Sequence, residues 1–204
     1  VRPLSTRDGI PTNAVFGFLS MFCKFIEIAE PDAVVCAFDA GKPVHRIKAL
    51  EQYKAQRPPM DDDLRVQFPI MEELLGAMNV PVVKVKGWEG DDILGTIAAR
   101  DEELGYETLL VTGDKDAYQL ASAATRIVTP KRGVTATAIY GPEQVEERYG
   151  VTPEQFPDFL GLMGDSSDNI PGVPGIGAKT AAKLLQRFGT MQGIYDNLAE
   201  LKGK

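Results

Sequence analysis

Cysteine is nearly absent, with two in 204 residues. Cys23 in "MFCKF" and Cys36 in "AVVCAF" match no metal or redox spacing, which excludes a thiolate metal site, and they read as buried free thiols in a reducing compartment. No apolar run reaches the ~18 residues of a membrane helix, and no charged n-region precedes a signal-like stretch, so the chain reads as cytoplasmic with no membrane partner. Basic charge is short as well. A net charge of −7 excludes a general nucleic-acid binder of the basic-patch kind but leaves room for a local basic surface. Lys42, Arg46, Lys48, Lys54 and Arg57 supply one, against Glu51 alone, with His45 and Tyr53 interleaved. His45 is the lone histidine, and its expected place is the surface or local packing.

What the chain does hold is enough apolar residue, 44%, to bury a core. Apolar residues recur at helical spacing from Asn13 to Ile28 (Val15, Phe18, Leu19, Phe22, Phe25, Ile26), with Thr12 or Asn13 as N-cap. "DAVVCAFDAG", "VPVVKV" and "ETLLVTG" read as strands. One helix is expected from Asp61 to Met78, with Leu64, Phe68, Met71, Leu75 and Met78 on its stripe and a kink at Pro69; another is expected over Asp92 to Leu104. This alternation predicts an α/β domain with a largely parallel sheet, whose ligands gather beyond the carboxyl ends of the strands.

The acids fall at those ends. Asp39 closes the first strand, Glu89, Asp91 and Asp92 follow the second in "WEGDDIL", and Asp114 and Asp116 follow the third in "TGDKDAY". Carboxylates converging on one edge repel unless cations intervene, and hard divalent ions such as Mg²⁺ or Mn²⁺ take oxygen ligands. Two such ions about 4 Å apart clamp the attacking and leaving oxygens of a phosphodiester. Each group also has a plainer reading. Asp61, Asp62 and Asp63 in "PPMDDDL" begin a helix, and capping explains them in full. Asp92 is open between cap and ligand, and Asp39 alone can open a turn.

The stretch "GLMGDSSDNIPGVPGIGAKTAAKLLQRFG" adds Asp165 and Asp168, then a Gly/Pro hairpin entering a helix that carries Lys179, Lys183 and Arg187. Gly172, Gly175 and Gly177 allow backbone amides to approach a phosphate at a helix N-terminus, which grips a nucleic-acid backbone without reading sequence. A P-loop does not fit, because Ala178 separates Gly177 from Lys179 and no apolar strand precedes the loop.

The segments "FDAGK", "YKAQRPPM", "GDDILGT", "VTGDKDAYQL" and "LMGDSSDNIPGVPGIGAKTA" resemble, in order and over nearly the whole chain, the flap endonuclease family, in particular the 5′-nuclease (5′-3′ exonuclease) domains of bacterial DNA polymerase I. The resemblance implies a PIN-like α/β fold: a mostly parallel central sheet, flanking helices and a helical arch, with a helix-hairpin-helix (H3TH) module on duplex DNA. It divides the chain into a catalytic core, 1–140, and a DNA-binding module, 141–204. It also implies catalysis by two or more divalent ions, Mg²⁺ or Mn²⁺, with K⁺ at the hairpin. The first-metal ligands carried over are Asp39, Glu89, Asp91 and Asp92; the second are Asp114, Asp116, Asp165 and Asp168. Lys54, Arg57 and Arg46 take the places of basic residues near the scissile phosphate, Tyr53 a place where it stacks on a base, and Thr180 joins the hairpin glycines, Lys179 and Lys183 on DNA. The implied substrate is DNA with a 5′ flap, a nick or a 5′ end at a duplex junction, cut by a monomer in the bacterial nucleoid. The family's opening strand, with an Asp-Gly pair serving the first metal, is expected upstream of Val1, and its nuclease domain extends past Lys204.

Two other classes remain on the residues alone. A small-molecule phosphohydrolase uses a D-x-D such as that of "GDKDAY" but leaves the hairpin and "YKAQR" unexplained. A non-catalytic DNA-binding module leaves the eight carboxylates unexplained.

Overall fold

In the computed structural model, which describes residues 4–130 and 137–201, helices and short strands alternate. In chain order they are α1 (Asn13–Ala29), β1 (Cys36–Ala37), α2 (Val44–Ala49), α3 (Asp62–Arg65), α4 (Gln67–Ala77), β2 (Val82–Val83), α5 (Gly90–Leu104), β3 (Thr108–Val111), β4 (Thr125–Pro130), β5 (Thr137–Tyr140), α6 (Pro142–Tyr149), α7 (Phe156–Met163), α8 (Ala178–Phe188) and α9 (Met191–Asp196). A 3₁₀ helix, Lys115–Leu120, joins β3 to β4. No described helix is long and apolar enough to cross a membrane. The chain divides into two compact units, Val1–Val44 with Arg57–Ile93, and His45–Gln56 with Leu94–Lys204.

In the first unit, α1 packs on α4. Phe18 stacks near Phe22, and Phe38 meets Phe18 and Phe68 edge-on, at centroid distances of 6.4 and 5.8 Å. β1 and β2 pair in parallel, Cys36 with Val82 and Ala37 with Val83. Asp39 therefore follows directly on the paired segment.

The start of α1 departs from expectation. Thr12 makes no side-chain cap. Instead Gln67, 1% exposed, reaches from α4: its Oε1 accepts from the Ala14 and Val15 N–H groups at 2.7 and 3.2 Å, and its Nε2 donates to Asn13 Oδ1 and to the Asp63 carbonyl. An amide distant in sequence satisfies donors that a local residue was expected to satisfy. The helix expected over 61–78 is also two helices. It breaks at Val66, and Pro69 sits in the first turn of α4, where its missing N–H leaves no helical bond unmade. Asp61 caps α3, its Oδ1 accepting from Asp63 N–H at 2.8 Å. Met71 and Leu75 are buried as the stripe predicts; Leu64 and Met78, at its ends, are exposed.

Cys23 is exposed and Cys36 only partly buried, against the expectation of buried thiols. The apolar neighbours of Cys23 misled, because the inward stripe of α1 runs through Val15, Phe18, Phe22 and Ile26, and position 23 turns away with the exposed Phe16.

In the second unit β3 runs parallel to β4, Thr108 opposite Thr125, and β4 pairs antiparallel with β5. Among the described residues the hydrogen-bonded strand pairs are β1–β2 and β3–β4, both parallel, and β4–β5, antiparallel, which is the largely parallel pairing expected. The core of this unit is aromatic. Tyr118 lies 4.9 Å from Tyr140, 5.3 Å from Tyr149 and 5.6 Å from Phe156, centroid to centroid, and Phe159, Leu162, Ala181 and Leu185 extend the cluster through α7 and α8. Tyr118 and the adjoining Ala117 belong to the 3₁₀ helix, so that helix is anchored by its buried side.

Replacing Gln67 with methionine keeps the volume but leaves the N–H groups of Ala14, part-buried, and Val15, buried, without their acceptor. A loss of about 1–3 kcal/mol is expected. Urea unfolding followed by Trp88, the one tryptophan and a member of the same unit, measures it.

Candidate metal centre

In the second unit, three carboxylates come together. One oxygen from each of Asp116, Asp165 and Asp168 lies within 4.8 Å of the others. Asp116 is delivered by the 3₁₀ helix after β3. Asp114 caps that helix, its Oδ1 accepting from Asp116 N–H at 3.0 Å, while its own N–H donates to Thr112 Oγ1. Asp165 and Asp168 are delivered by the turn after α7, closed by a two-way backbone pairing of Asp165 with Ile170. Both carboxylates are buried, at 3% and 5% exposure.

Their compensation is unequal. Asp165 Oδ1 accepts from Lys115 Nζ and from Ser167 N–H, each at 2.9 Å. Burial pushes the Asp165 carboxyl up, but these bonds together outweigh it and hold the group below its usual range. Asp168 Oδ2 accepts from the Tyr53 hydroxyl at 2.8 Å, with Lys54 Nζ at 3.6 Å. Asp116 fares worst. Its Oδ1 is buried with no hydrogen-bond partner, and burial, with the charges of Asp114, Asp165 and Asp168, pushes its carboxyl up to about 6. A buried orphan oxygen facing two more carboxylates suits a hard divalent cation, which supplies the missing partner and cancels the repulsion.

The first acid group lies in the other unit. Asp39 Oδ1 accepts from Gly90 N–H at 2.6 Å, and Glu89 is buried at 6% exposure. Asp91 and Asp92 fall inside the first turn of α5, which starts at Gly90, earlier than expected. Asp92 Oδ2 accepts from Glu89 N–H at 2.9 Å, while Asp92 N–H donates to the Glu89 carbonyl. This oxygen of Asp92 thus does the work of a helix cap.

Among the basic residues, Lys54 is drawn into the second carboxylate group, its backbone at φ +54°. Arg46 is partly buried in the last turn of α2, and Arg57 and His45 are exposed. Tyr53 differs from expectation. The residue is buried, at 9% exposure, and its hydroxyl donates to Asp168. The motif "YKAQR" gave no sign of this, since its partner lies 115 residues away. Lys115, also unforeseen, was visible only as the residue between two acids.

The hairpin glycines separate into distinct causes. A Cβ on Gly172 would sit 2.3 Å from the Met163 carbonyl carbon and 2.4 Å from Gly164 N, so close backbone packing by itself requires glycine at this position. Gly175 has φ +81°, the left-handed region. Gly177 has open space around it and precedes α8, which exposes Lys179, Thr180, Lys183 and Arg187 while burying Ala181, Ala182 and Leu185.

A divalent cation held by the trio would compete with a proton for Asp116. In Mn²⁺ titrations the apparent affinity is expected to weaken, by up to about tenfold per pH unit, as pH falls below about 6. In EDTA the sign for stability is opposite: the folded-state value lies above the ordinary 3.8, so the stability due to Asp116 is present at low pH and is lost as pH rises to about 6. Melting temperatures of the wild type relative to Asp116→Asn, measured across that window, check it.

Comparison with known proteins places this geometry. Residues 1–150 match the family model for the 5′-3′ exonuclease, N-terminal resolvase-like domain, and residues 151–204 that for the 5′-3′ exonuclease, C-terminal SAM fold. The chain is 48% identical over 203 residues to DNA polymerase I of Bacillus caldotenax and 43% identical over 201 residues to that of Bacillus subtilis, covering 99% and 98% of itself. It spans 23% of the length of each of these relatives. A solved structure of bacteriophage T5 5′-exonuclease with bound divalent zinc ions superposes with a TM-score of 0.77 at 28% identity, over 93% of this chain and 72% of that one. The catalytic core of Rad2 in complex with DNA substrate shares the fold, with a TM-score of 0.64 at 18% identity over 98% of this chain and 61% of that one. By sequence over its whole length and by fold, the chain belongs to the 5′-3′ exonuclease family.

Proposed function

We propose that this chain is a structure-specific 5′-3′ exonuclease and 5′-flap endonuclease module, hydrolysing DNA phosphodiesters with Mg²⁺ or Mn²⁺ during primer removal and excision repair in bacteria. The observation that carries this reading is the trio Asp116, Asp165 and Asp168, two of them buried, with the orphaned Asp116 Oδ1, in a chain of this family. Asp114 supports the trio by fixing the turn that presents Asp116. Asp39, Glu89 and Asp91 form a second set of oxygen donors for a cation, and Asp92 orders the turn that carries them. When bound, divalent ions supply electrophilic neutralisation of the phosphodiester and a more acidic water.

The protein's own groups do the rest. The trio holds positive charge in a buried place where it is little screened. Lys54 brings an ammonium next to Asp168, positioned to meet a phosphate oxygen, and the guanidinium groups of Arg46 and Arg57 are further donors suited to phosphate. In the proposed DNA-binding module, 141–204, the open N-terminus of α8 after Gly177, with Lys179, Thr180 and Lys183, contacts the backbone of duplex DNA without reading bases, and a K⁺ ion fits that role at the hairpin. The core proposed beside it is 1–140. The chain acts as a monomer on DNA in the nucleoid, at flaps, nicks and 5′ ends at junctions.

Cleavage of a 5′-labelled flap in Mg²⁺, with EDTA as control, tests the reading; product length reports the cut site. Asp116→Ala is expected to lower cleavage by about 10²-fold or more while leaving most DNA affinity in place. Full Mg²⁺-dependent cleavage by that variant would overturn the assignment. Lys179→Glu is expected to weaken binding to all sequences alike and to reduce the slope of log K against log salt by about one.

A further inference from the structure

Residues 52–56 are strapped to the turn that carries Asp165 and Asp168. Lys54 N–H donates to the Asp168 carbonyl at 3.0 Å, and Asn169 Nδ2 donates to the Gln52 carbonyl at 2.7 Å. Gln56 Nε2 donates to the Ser166 and Ser167 carbonyls at 2.9 and 3.3 Å. These bonds join backbone to backbone or amide to backbone, so they place the strap without touching a carboxylate. The Tyr53 hydroxyl differs in kind: it donates at 2.8 Å to Oδ2 of Asp168, a buried member of the acidic trio. A hydroxyl donor at this distance orients the carboxylate oxygen it bonds, and Lys54 Nζ stands 3.6 Å from that same oxygen. The ring is itself buried, and Lys54 Nζ stands over it, 4.9 Å from its centroid. Ring and hydroxyl are thus fixed by separate contacts.

We propose that Tyr53 is a positioning residue for the metal centre: its hydroxyl holds Asp168 in the orientation that keeps the Asp116–Asp165–Asp168 trio spaced for a divalent cation. This rests on the reading that the trio binds such a cation. Groups that orient a metal ligand in this way change metal affinity by about 10- to 100-fold when removed. The same bond makes the placement of Lys54, the next residue, depend on the acid that the cation would engage.

Tyr53→Phe keeps the ring and deletes only the hydroxyl. Mn²⁺ binding to the full chain, followed by the loss of the free-ion electron paramagnetic resonance signal, is expected to weaken about tenfold, and flap cleavage to lose kcat with KM for DNA unchanged. A ring that stacked on a base would leave Mn²⁺ affinity unaltered on the same substitution. Unchanged Mn²⁺ affinity, or a raised KM with kcat intact, would therefore overturn the proposal. Gln56→Ala loosens the strap without removing a carboxylate partner, and its effect on Mn²⁺ affinity is expected to be smaller; an equal loss would show that anchoring alone suffices and would also overturn it. Asp116→Asn separates the two levels. If it leaves Mn²⁺ binding intact, the trio is not the cation site and the whole reading falls. If it abolishes a bound ion while Tyr53→Phe changes nothing, only the role of Tyr53 falls.

Discussion

Mutual repulsion among Asp116, Asp165 and Asp168 is the constraint around which the second unit is organised. Three carboxylates with oxygens inside 4.8 Å, two of them almost fully buried, resist being brought together, so the chain must hold them by other means. Those means are apolar. Ala117 and Tyr118 pin the 3₁₀ helix into the aromatic cluster directly beside Asp116, and Phe156, Phe159 and Leu162 pin α7 immediately before Asp165. The acids ride on elements whose burial is secured one or two turns away. The polar compensation is partial, with Lys115 and Ser167 on Asp165 and Tyr53 and Lys54 on Asp168, and it stops short of Asp116 Oδ1. A fold with no use for a cation has no reason to leave its most crowded carboxylate the least satisfied.

How much of this could be read in the sequence depended on the range of the interaction. Features set by neighbours a few residues away were legible. Asp61 before two further acids marked a cap, the period of Val15, Phe18, Phe22 and Ile26 marked α1, and Gly/Pro punctuation marked the passage into α8. The grouping of Asp114, Asp116, Asp165 and Asp168 followed from matching the family's motifs, since nothing local joins residues fifty positions apart. Features set by distant partners stayed hidden. Gln67 reads as one more polar residue on an amphipathic helix until Ala14 and Val15 are seen against it. Tyr53 in a basic run reads as a surface aromatic until Asp168 is seen. Cys23 erred the other way, because apolar neighbours in sequence were taken for apolar neighbours in space. The pairing of β4 with β5 escaped because "TRIVTP" and "TAIY" carry too little periodicity to stand out beside the longer apolar runs.

The stretch from Gly164 to Gly177 shows why the acidic turn and the hairpin should be considered together. Gly164, at φ +80°, and Gly172 let two backbones meet so closely that a Cβ on either would fall inside contact distance of the other. That approach closes the turn holding Asp165 and Asp168, and the chain leaving it reaches α8 six residues after Gly172. The Val173 N–H returning to the Leu162 carbonyl at 2.8 Å ties the exit of the turn to α7. One short, stiff path therefore sets both where the buried acids stand and where the exposed face of Lys179, Thr180 and Lys183 begins. In the proposed function, the hairpin's hold on a nucleic-acid backbone would have to be registered to the reacting centre, because misplacement by about 1 Å can cost on the order of 10²-fold in rate. Here the register on the side of this unit is carried by backbone packing between two glycines, which leaves the side chains on either side free to serve charge.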